Sequence, residues 1–476
     1  MMNYFKYSVL LLMGCVLISC KKELNVYPTT SEVDGNVIVD VKTANTVLNG
    51  VYYRFAGAGT DYNQFPSVNW SDYNELVPSM LTGLVDYAGG GSEIGLYNIG
   101  PFNEASDLFW RYNYALVNAA NGFLKNVAPV SKIPDATKKQ MQAEARFLRA
   151  FANTQLLLYF GQYNVQESKY GIILRTEFVN ADNINLPRTS VADAYAAIVS
   201  DIDFAITNLP EKNKQIYFAN SWAAKLLMAR LLINRAGPGD YAKVISLTSD
   251  LINNGPFQLE KNVKDIFLTK GHASKEVIMG VQPFPNQTYK FTEYQLYFQY
   301  AGTQYLADLL TNDPRSDWVY KKVVDPSYGE LYQITKYYAG STDPSDMIAT
   351  PLTENGYAFR LTEAYLIQAE AITLSGGDIS VAKTLLKTIK SHAGIADFSD
   401  IDEAKDAVEL QDLIVREELK NFAVENGIDF FALRRLPFDR LQKIRPEVQM
   451  QSHLILPIPY AEMTTNPNII QNPDYQ

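Results

Sequence analysis

Asn69, Trp70, Asp72 and Tyr73 lie close together in the chain and combine an aromatic face with an amide, a carboxylate and a phenol. Such groups bind polar, ring-shaped ligands without breaking bonds, because the aromatic face stacks while the polar groups exchange hydrogen bonds. Trp70 stands among small and polar residues and joins no periodic apolar stripe, which favours an exposed ligand-binding position. The alternative is that Trp70 anchors its own loop in the core.

Three more aromatic residues, Tyr294, Tyr297 and Trp318, are candidates for the same ligand-binding surface. Ten of the 31 tyrosines fall between Tyr289 and Tyr338, far above their share by length. Tyrosine has an apolar ring and a polar tip and therefore suits a half-wet binding surface. An ordinary protein interface would use the same residues.

Residues that could catalyse a reaction form no recognisable motif. His272, His392 and His453 are scattered, and the chain has no HExxH and no CxxC. Residues 90–94 miss the G-x-S-x-G elbow by an isoleucine, and residues 380–383 match S-x-x-K only at a predicted helix start. We therefore predict no enzymatic activity, no metal and no cofactor, although the paired carboxylates of a glycoside hydrolase leave no sequence signature.

Two irregular segments must position the candidate residues. Residues 56–104 contain eight glycines and three prolines, a spacing that denies any long regular element. Residues 282–357 are again irregular and tyrosine-rich. Long irregular segments in a compact domain are usually functional, so both are expected to face a ligand.

The remaining sequence is helical. An apolar stripe from Met141 to Tyr159 predicts a helix that begins after Pro134 and stops at Gly161. Residues 223–251 and 363–389 each read as a helix, a glycine-rich turn and a second helix, which resembles tetratricopeptide units. Generic helical hairpins remain the alternative. The fold class predicted is mainly α, with one globular body, long irregular loops and little β structure.

The N-terminal residues predict an export signal. A basic start at Lys6 is followed by an apolar run, Val9 to Ile18, that is too short to span a bilayer. Leu17-Ile18-Ser19-Cys20 resembles a bacterial lipobox. Residues 1–19 are therefore expected to be a signal peptide, with Cys20 lipidated as the membrane anchor, whereas an ordinary signal with a chance cysteine is the alternative.

The net charge limits the partners of the chain. Its 52 acidic side chains exceed its 42 basic ones, which gives a net charge of −10. A polyanion such as nucleic acid is therefore not the expected partner.

The C-terminal sequence resembles the closing signature of SusD/RagB-type outer-membrane lipoproteins. It comprises residues 454–459 (LILPIP), Glu462 and residues 466–473 (NPNIIQNP). Further matching residues in the expected order are Trp110, Tyr114, Asn118 and Asn121, followed by 143–150, 187–191, 313–315 and 360–371. One region departs from the family pattern, because Asp429 stands near its usual arginine and Ala432 replaces its usual aspartate.

The resemblance implies a SusD-like body over residues 20–476. Its N-terminal tetratricopeptide-like part covers about 40–260, with the 56–104 insertion, and its C-terminal part covers about 261–476. It also implies a non-enzymatic glycan-binding lipoprotein on the outside of the outer membrane, which delivers oligosaccharide or polysaccharide to a SusC-like TonB-dependent transporter. A lipoprotein that binds peptide or protein is the alternative, and a glycoside hydrolase is a further one.

Overall fold

The structure, a computed structural model, describes residues 37–60, 66–213, 215–296, 299–338 and 350–475. The predicted signal peptide, Cys20 and Tyr297 lie outside the described residues. The described chain is mainly helical, as the sequence predicts, and strands are few and short.

The helices follow the chain in this order: α1 Val41–Phe55, α2 Val77–Leu81, α3 Glu104–Val127, α4 Asp135–Phe160, α5 Val191–Asn208, α6 Ser221–Arg235, α7 Asp240–Asn254, α8 Tyr289–Phe291, α9 Gln304–Leu309, α10 Ser316–Val319, α11 Leu361–Leu374, α12 Ile379–His392, α13 Ser399–Glu403, α14 Ala407–Phe422, α15 Ile428–Arg434, α16 Phe438–Ile444 and α17 Tyr460–Thr465. Three π-helical turns cover Ser71–Leu76, Ile266–Lys270 and Thr292–Leu296, and 3₁₀ turns cover Gly271–Ala273 and Gln451–Leu454.

The boundaries predicted for helix α4 are confirmed, and a capping hydrogen bond marks the start of helix α5. Helix α4 begins directly after Pro134 and ends before Gly161. Helix α5 begins after Ser190, whose hydroxyl accepts the backbone N–H of Asp193 at 3.0 Å. This hydrogen bond satisfies an amide that has no partner within the helix.

The two segments that resemble tetratricopeptide units are helical hairpins. Helices α6 and α7 form the first hairpin, helices α11 and α12 form the second, and α7 packs against α11. Each helix buries an apolar face on a neighbour, so the pairs build one continuous core.

Within the described ranges, the strands form three small antiparallel sheets: β1 Ala58–Thr60 with β2 Pro66–Val68; β3 Val85–Tyr87, β5 Tyr300–Gly302, β7 Gly329–Ile334 and β6 Tyr320–Asp325 in that order; and β4 Val277–Val281 with β8 Gly356–Arg360. The four-stranded sheet joins the two irregular segments, because β3 comes from the first and the other strands from the second.

The first irregular segment contains more regular structure than its glycines and prolines suggest. Its π-helical turn, Ser71–Leu76, runs directly into α2. Pro78 is accommodated there because it occupies the first turn of α2, where a backbone N–H needs no partner within the helix.

Buried ion pairs fasten the helices to one another. Arg149 on α4 binds Asp201 on α5 through two hydrogen bonds of 2.7 and 2.8 Å. Arg230 on α6 binds Glu363 on α11 in the same way, with two bonds of 2.7 Å. Arg360 contacts Glu276 at 2.7 Å. Removing one member of such a pair leaves an uncompensated buried charge, so these contacts hold the frame in one arrangement.

The region that departs from the family pattern has its own buried contacts. Asp429, near the usual position of an arginine, accepts a hydrogen bond of 2.5 Å from the hydroxyl of Ser79. Arg435 instead pairs with Glu370 at 2.6 Å and Glu418 at 2.9 Å. The departure therefore links α15 to α2 within the first irregular segment.

Candidate functional site

The two irregular segments pack against each other and build one surface. The hydroxyl of Tyr289 donates to the carboxylate of Asp72 at 2.8 Å. Next to this contact, the ammonium group of Lys290 lies 2.9 Å from Glu75, and both of these side chains are buried. The π-helical turn of the first segment is thus fixed on α8 of the second.

Two tyrosines form the exposed part of this surface. Tyr87 on β3 and Tyr300 on β5 are directly paired across the sheet, so their side chains stand on the same sheet face. Their rings stack with centroids 5.3 Å apart and an interplanar angle of 30°. Tyr87 is 45% exposed and Tyr300 is half-buried. We call Tyr87, Tyr289, Tyr300 and Asp72 the tyrosine face.

Within the tyrosine face, Asp72 fixes the position of the Tyr289 hydroxyl. One carboxylate oxygen accepts the Tyr289 hydroxyl, and the other is buried without a hydrogen-bond partner. The pKa of Asp72 is raised to about 7, chiefly by burial and also by the nearby carboxylates of Glu293 and Glu75, against the lowering effect of the Tyr289 hydroxyl.

Electrostatic coupling shows that the members of the tyrosine face share one environment. Burial raises the pKa of Tyr300, and the charges of Asp72 and Tyr87 add to that rise. The pKa of Tyr87 is likewise raised, first by burial and then by acidic neighbours that include Asp86 and Asp72. These phenols therefore stay protonated and keep hydroxyl groups that donate as well as accept.

The prediction that Trp70 presents its ring to a ligand is corrected by its burial. The side chain is 3% exposed, and its ring lies 5.2 Å from Phe55 and 6.0 Å from Phe151. A Cβ on Gly356 would come within 2.8 Å of the indole, so strand β8 closes over it. Trp70 is thus the anchor of its segment, the alternative stated from the sequence.

The other predicted residues of the first segment, Asn69 and Tyr73, are buried against Tyr112. Asn69 is buried, and its amide donates to the hydroxyl of Tyr112 at 3.1 Å. Tyr73 is buried with its ring 4.5 Å from that of Tyr112. Among the predicted residues that the structure describes, only Asp72 belongs to the tyrosine face itself.

The two predicted residues of the second segment that the structure describes, Tyr294 and Trp318, also lie inside. Tyr294 is fully buried and donates its hydroxyl to Glu75 at 3.0 Å, directly beneath the face. Trp318 is 6% exposed and stacks on Phe267 at 5.7 Å, where it borders a separate groove with Tyr338. The structure therefore does not bring Trp318 to the tyrosine face.

Tyr87, Tyr289 and Tyr300 were not predicted from the sequence as site residues. Tyr87 and Tyr300 lie on strands of three residues, too short for an alternating pattern to reveal their pairing. The available signal was compositional, because all three tyrosines fall in the two segments that were expected to face a ligand.

The arrangement suits reversible binding of a polar ring. Two stacked phenol rings offer a flat apolar surface, and hydroxyl groups around it exchange hydrogen bonds.

Among the described residues, no group of His, Cys, Asp and Glu could hold a metal ion. In the same part of the chain, no helix is long and apolar enough to cross a membrane.

A helical frame that carries one tyrosine-lined surface on two irregular insertions defines a class of helical ligand-binding scaffolds. The family model described as "Starch-binding associating with outer membrane" matches residues 94–233, and the model of the SusD family matches residues 284–448. The chain belongs to the SusD/RagB family.

Similar proteins of known sequence carry the same family name. A SusD-like protein of Bacteroides ovatus is 26% identical over 362 residues, which cover 66% of this chain and 63% of that protein. SusD-like protein P2 of Formosa agariphila is 21% identical over 436 residues, which cover 80% and 83% of the two chains.

Solved structures share the fold. A SusD superfamily protein from Bacteroides thetaiotaomicron superposes with a TM-score of 0.73 at 21% identity, covering 91% of this chain and all of that one. A laminarin-binding SusD-like protein superposes with a TM-score of 0.70 at 19% identity, covering 92% of this chain and all of that one.

Proposed function

We propose that this chain is a surface-exposed, non-enzymatic lipoprotein that binds oligosaccharide or polysaccharide on its tyrosine face and delivers it to a SusC-like TonB-dependent transporter. The observation that carries the proposal is the stacked, half-exposed pair of Tyr87 and Tyr300. The family name of the chain and the laminarin-binding protein of the same fold support a glycan as the ligand.

The geometry explains how the tyrosine face would work. The C–H faces of a sugar ring would pack on Tyr87 and Tyr300, and the ring hydroxyls would bond to phenol groups at the edge. Asp72 and Tyr289 act as positioning residues, because their hydrogen bond fixes the two segments relative to each other. Few direct hydrogen bonds and a preformed surface suit a carrier with rapid release, with affinities on the order of micromolar to millimolar.

Thermal unfolding with a panel of neutral and charged polysaccharides tests the binding step. A ligand at about 100 times its dissociation constant stabilises the folded protein by about 2.7 kcal/mol, so the melting temperature should rise with ligand concentration. Stabilisation only by peptides would contradict the proposal in favour of the peptide-binding alternative. Release of new reducing ends from any glycan would contradict the non-enzymatic role.

Delivery to a transporter is tested in the membrane. Detergent extracts of the native outer membrane should yield this protein together with a large TonB-dependent porin. Purification of the lipidated protein without such a porin, under conditions that preserve other membrane complexes, would contradict the partnership.

A further inference from the structure

A basic groove lies apart from the residues of the tyrosine face. Its volume is about 620 Å³, and helices α9, α14 and α16 form its walls. Four cationic side chains line it, Arg416, Lys420, Arg440 and Lys443, against the two carboxylates of Asp308 and Asp412. A chain with a net charge of −10 thus gathers positive charge at one concave place.

Two of the four cations are already paired within the protein. Arg440 contacts Asp412 and also donates to Gln411 at 3.1 Å. Lys420 lies 3.0 Å from Asp313. Because these two cations form ion pairs within the protein, their charges are not available to a ligand.

The other two cations are unpaired. Arg416 on α14 and Lys443 on α16 are exposed, and neither has an acidic partner within 4.0 Å in the described part of the chain. Asp308 also lines the groove, forms no ion pair within 4.0 Å with either cation, and accepts a hydrogen bond from Gln304 at 2.8 Å on its own helix. The groove therefore presents two cations without an ion-pair partner, beside the single carboxylate of Asp308.

The groove also has an apolar floor. Leu309, Leu419 and Ile444 line it together with the half-buried ring of Tyr305. Burial raises the pKa of Tyr305 to about 12, and the positive charge of Arg416 opposes that rise, so the guanidinium acts on the phenol. A surface with apolar carbon beside unpaired cations fits a ligand that has both an apolar face and an anionic group.

We propose that the basic groove binds an anionic glycan, with Arg416 and Lys443 contacting its carboxylate or sulfate groups and the apolar floor packing against its sugar rings. This inference rests on the proposed glycan-binding function and adds the class of glycan. A guanidinium offers paired donors that match a carboxylate or a sulfate, and an ammonium group adds a point charge. A bare inorganic anion would leave the apolar floor unused, which favours a charged sugar.

The test compares each charged oligosaccharide with its uncharged counterpart. Isothermal titration would use oligogalacturonate, oligomannuronate and a sulfated galactan oligosaccharide, beside the methyl esters of the first two and the desulfated form of the third. The variant is R416Q/K443Q. The matched control is K139Q/K243Q, which removes two exposed lysines on α4 and α7 and changes the net charge equally.

We expect at least one charged oligosaccharide to bind the wild type about tenfold or more tightly than its uncharged form. R416Q/K443Q should lose this preference, and K139Q/K243Q should keep it. The preference should also shrink as salt is raised, because the contacting charges are exposed.

Equal affinity for charged and uncharged forms in the wild type, or an unchanged preference in R416Q/K443Q, would overturn the inference. Tight binding of polyglutamate with no preference for charged glycans would also overturn it and would indicate an acidic protein partner. Failure of the proposed function itself looks different, because then no glycan, charged or neutral, binds the wild type.

Discussion

The residue that looks most like a ligand contact in the sequence is a core residue in the structure. Trp70 lacks a periodic apolar stripe because its partners, Phe55 and Phe151, come from α1 and α4 and not from its own segment. A periodicity argument sees only neighbours within one element, and the burial of Trp70 is decided by contacts between elements. The same limit applies to Tyr294, whose partner Glu75 lies more than two hundred residues away.

Trp70→Ala should destabilise the fold strongly. Removal of a buried tryptophan leaves a cavity, and such substitutions cost about 3–5 kcal/mol in the free energy of unfolding. Urea denaturation measures the loss. Tyr328→Ala, at a 55% exposed aromatic residue, is the control and should change the free energy of unfolding little. A loss below about 1 kcal/mol for Trp70→Ala would contradict its burial.

Asp72 should make the protein less stable as the pH rises. The pKa of Asp72 is raised from 3.8 to about 7, so the folded protein keeps a proton that the unfolded chain has already released. Its contribution to stability is full below about pH 4 and is lost as the pH rises through about 7.

Asp72→Asn cannot titrate, so the decline in the free energy of unfolding with pH should be shallower by up to about 1.4 kcal/mol per pH unit between about pH 4 and 7. Denaturation at several pH values measures both slopes, and the exposed Asp182→Asn serves as control. Equal slopes of the free energy of unfolding against pH in the wild type and Asp72→Asn would show that burial does not raise the pKa of Asp72.

At the scale of elements, the family motifs in the sequence serve the frame and not the ligand. Arg188, in the motif of residues 187–191, donates to the side chain of Asn472, in the closing signature, at 2.8 Å. The indole of Trp110 donates to Glu462 of the same signature at 3.3 Å. These contacts fasten the C-terminal segment across the helices, which explains why the motifs identify the fold and are silent about the ligand.

Asn472→Ala should therefore weaken the attachment of the C-terminal segment to the helices. The buried Asn472 amide donates to the carbonyls of Phe160 at 2.9 Å and Leu456 at 2.7 Å, and its oxygen accepts from Arg188. Unpaired buried groups cost about 1–3 kcal/mol each, so we expect a loss of about 2–4 kcal/mol in the free energy of unfolding.

Chemical denaturation tests this loss, with Asn468→Ala as the matched control. Asn468 belongs to the same signature but is exposed, and its one side-chain contact is with the carbonyl of Asn185. Equal losses in the two variants would argue against a specific role of the Asn472 contacts.

Long helices were predictable and short strands were not, for a physical reason. In helix α4, apolar residues recur at helical spacing over many turns, and the helix has a proline before it and a glycine after it. Strand β5 has three residues, and its pairing with β3 joins positions more than two hundred residues apart. The sequence predicts that the two irregular segments face a ligand, but it does not show which of their residues face outward.

At the scale of the whole molecule, the proposed function requires a protein that is anchored to the membrane through a lipid near its N-terminus. Cys20→Ala should abolish acylation and release the protein from membranes, because the lipid is the proposed anchor. Metabolic labelling with a fatty acid and sedimentation of membranes measure the two effects. A Cys20→Ala protein that still carries lipid and sediments with the membrane would contradict the assignment of the anchor.

The most direct test of the central claim is titration of Y87A/Y300A with an uncharged glycan that stabilises the wild type, because the basic groove is proposed to bind only anionic glycans. The matched control is F102A/Y460A, which removes another exposed stacked pair, with ring centroids 4.3 Å apart. We predict that Y87A/Y300A loses binding by about tenfold or more while its melting temperature changes little, and that F102A/Y460A binds like the wild type. Unchanged affinity in Y87A/Y300A would contradict the account, because the glycan would then bind elsewhere on the molecule.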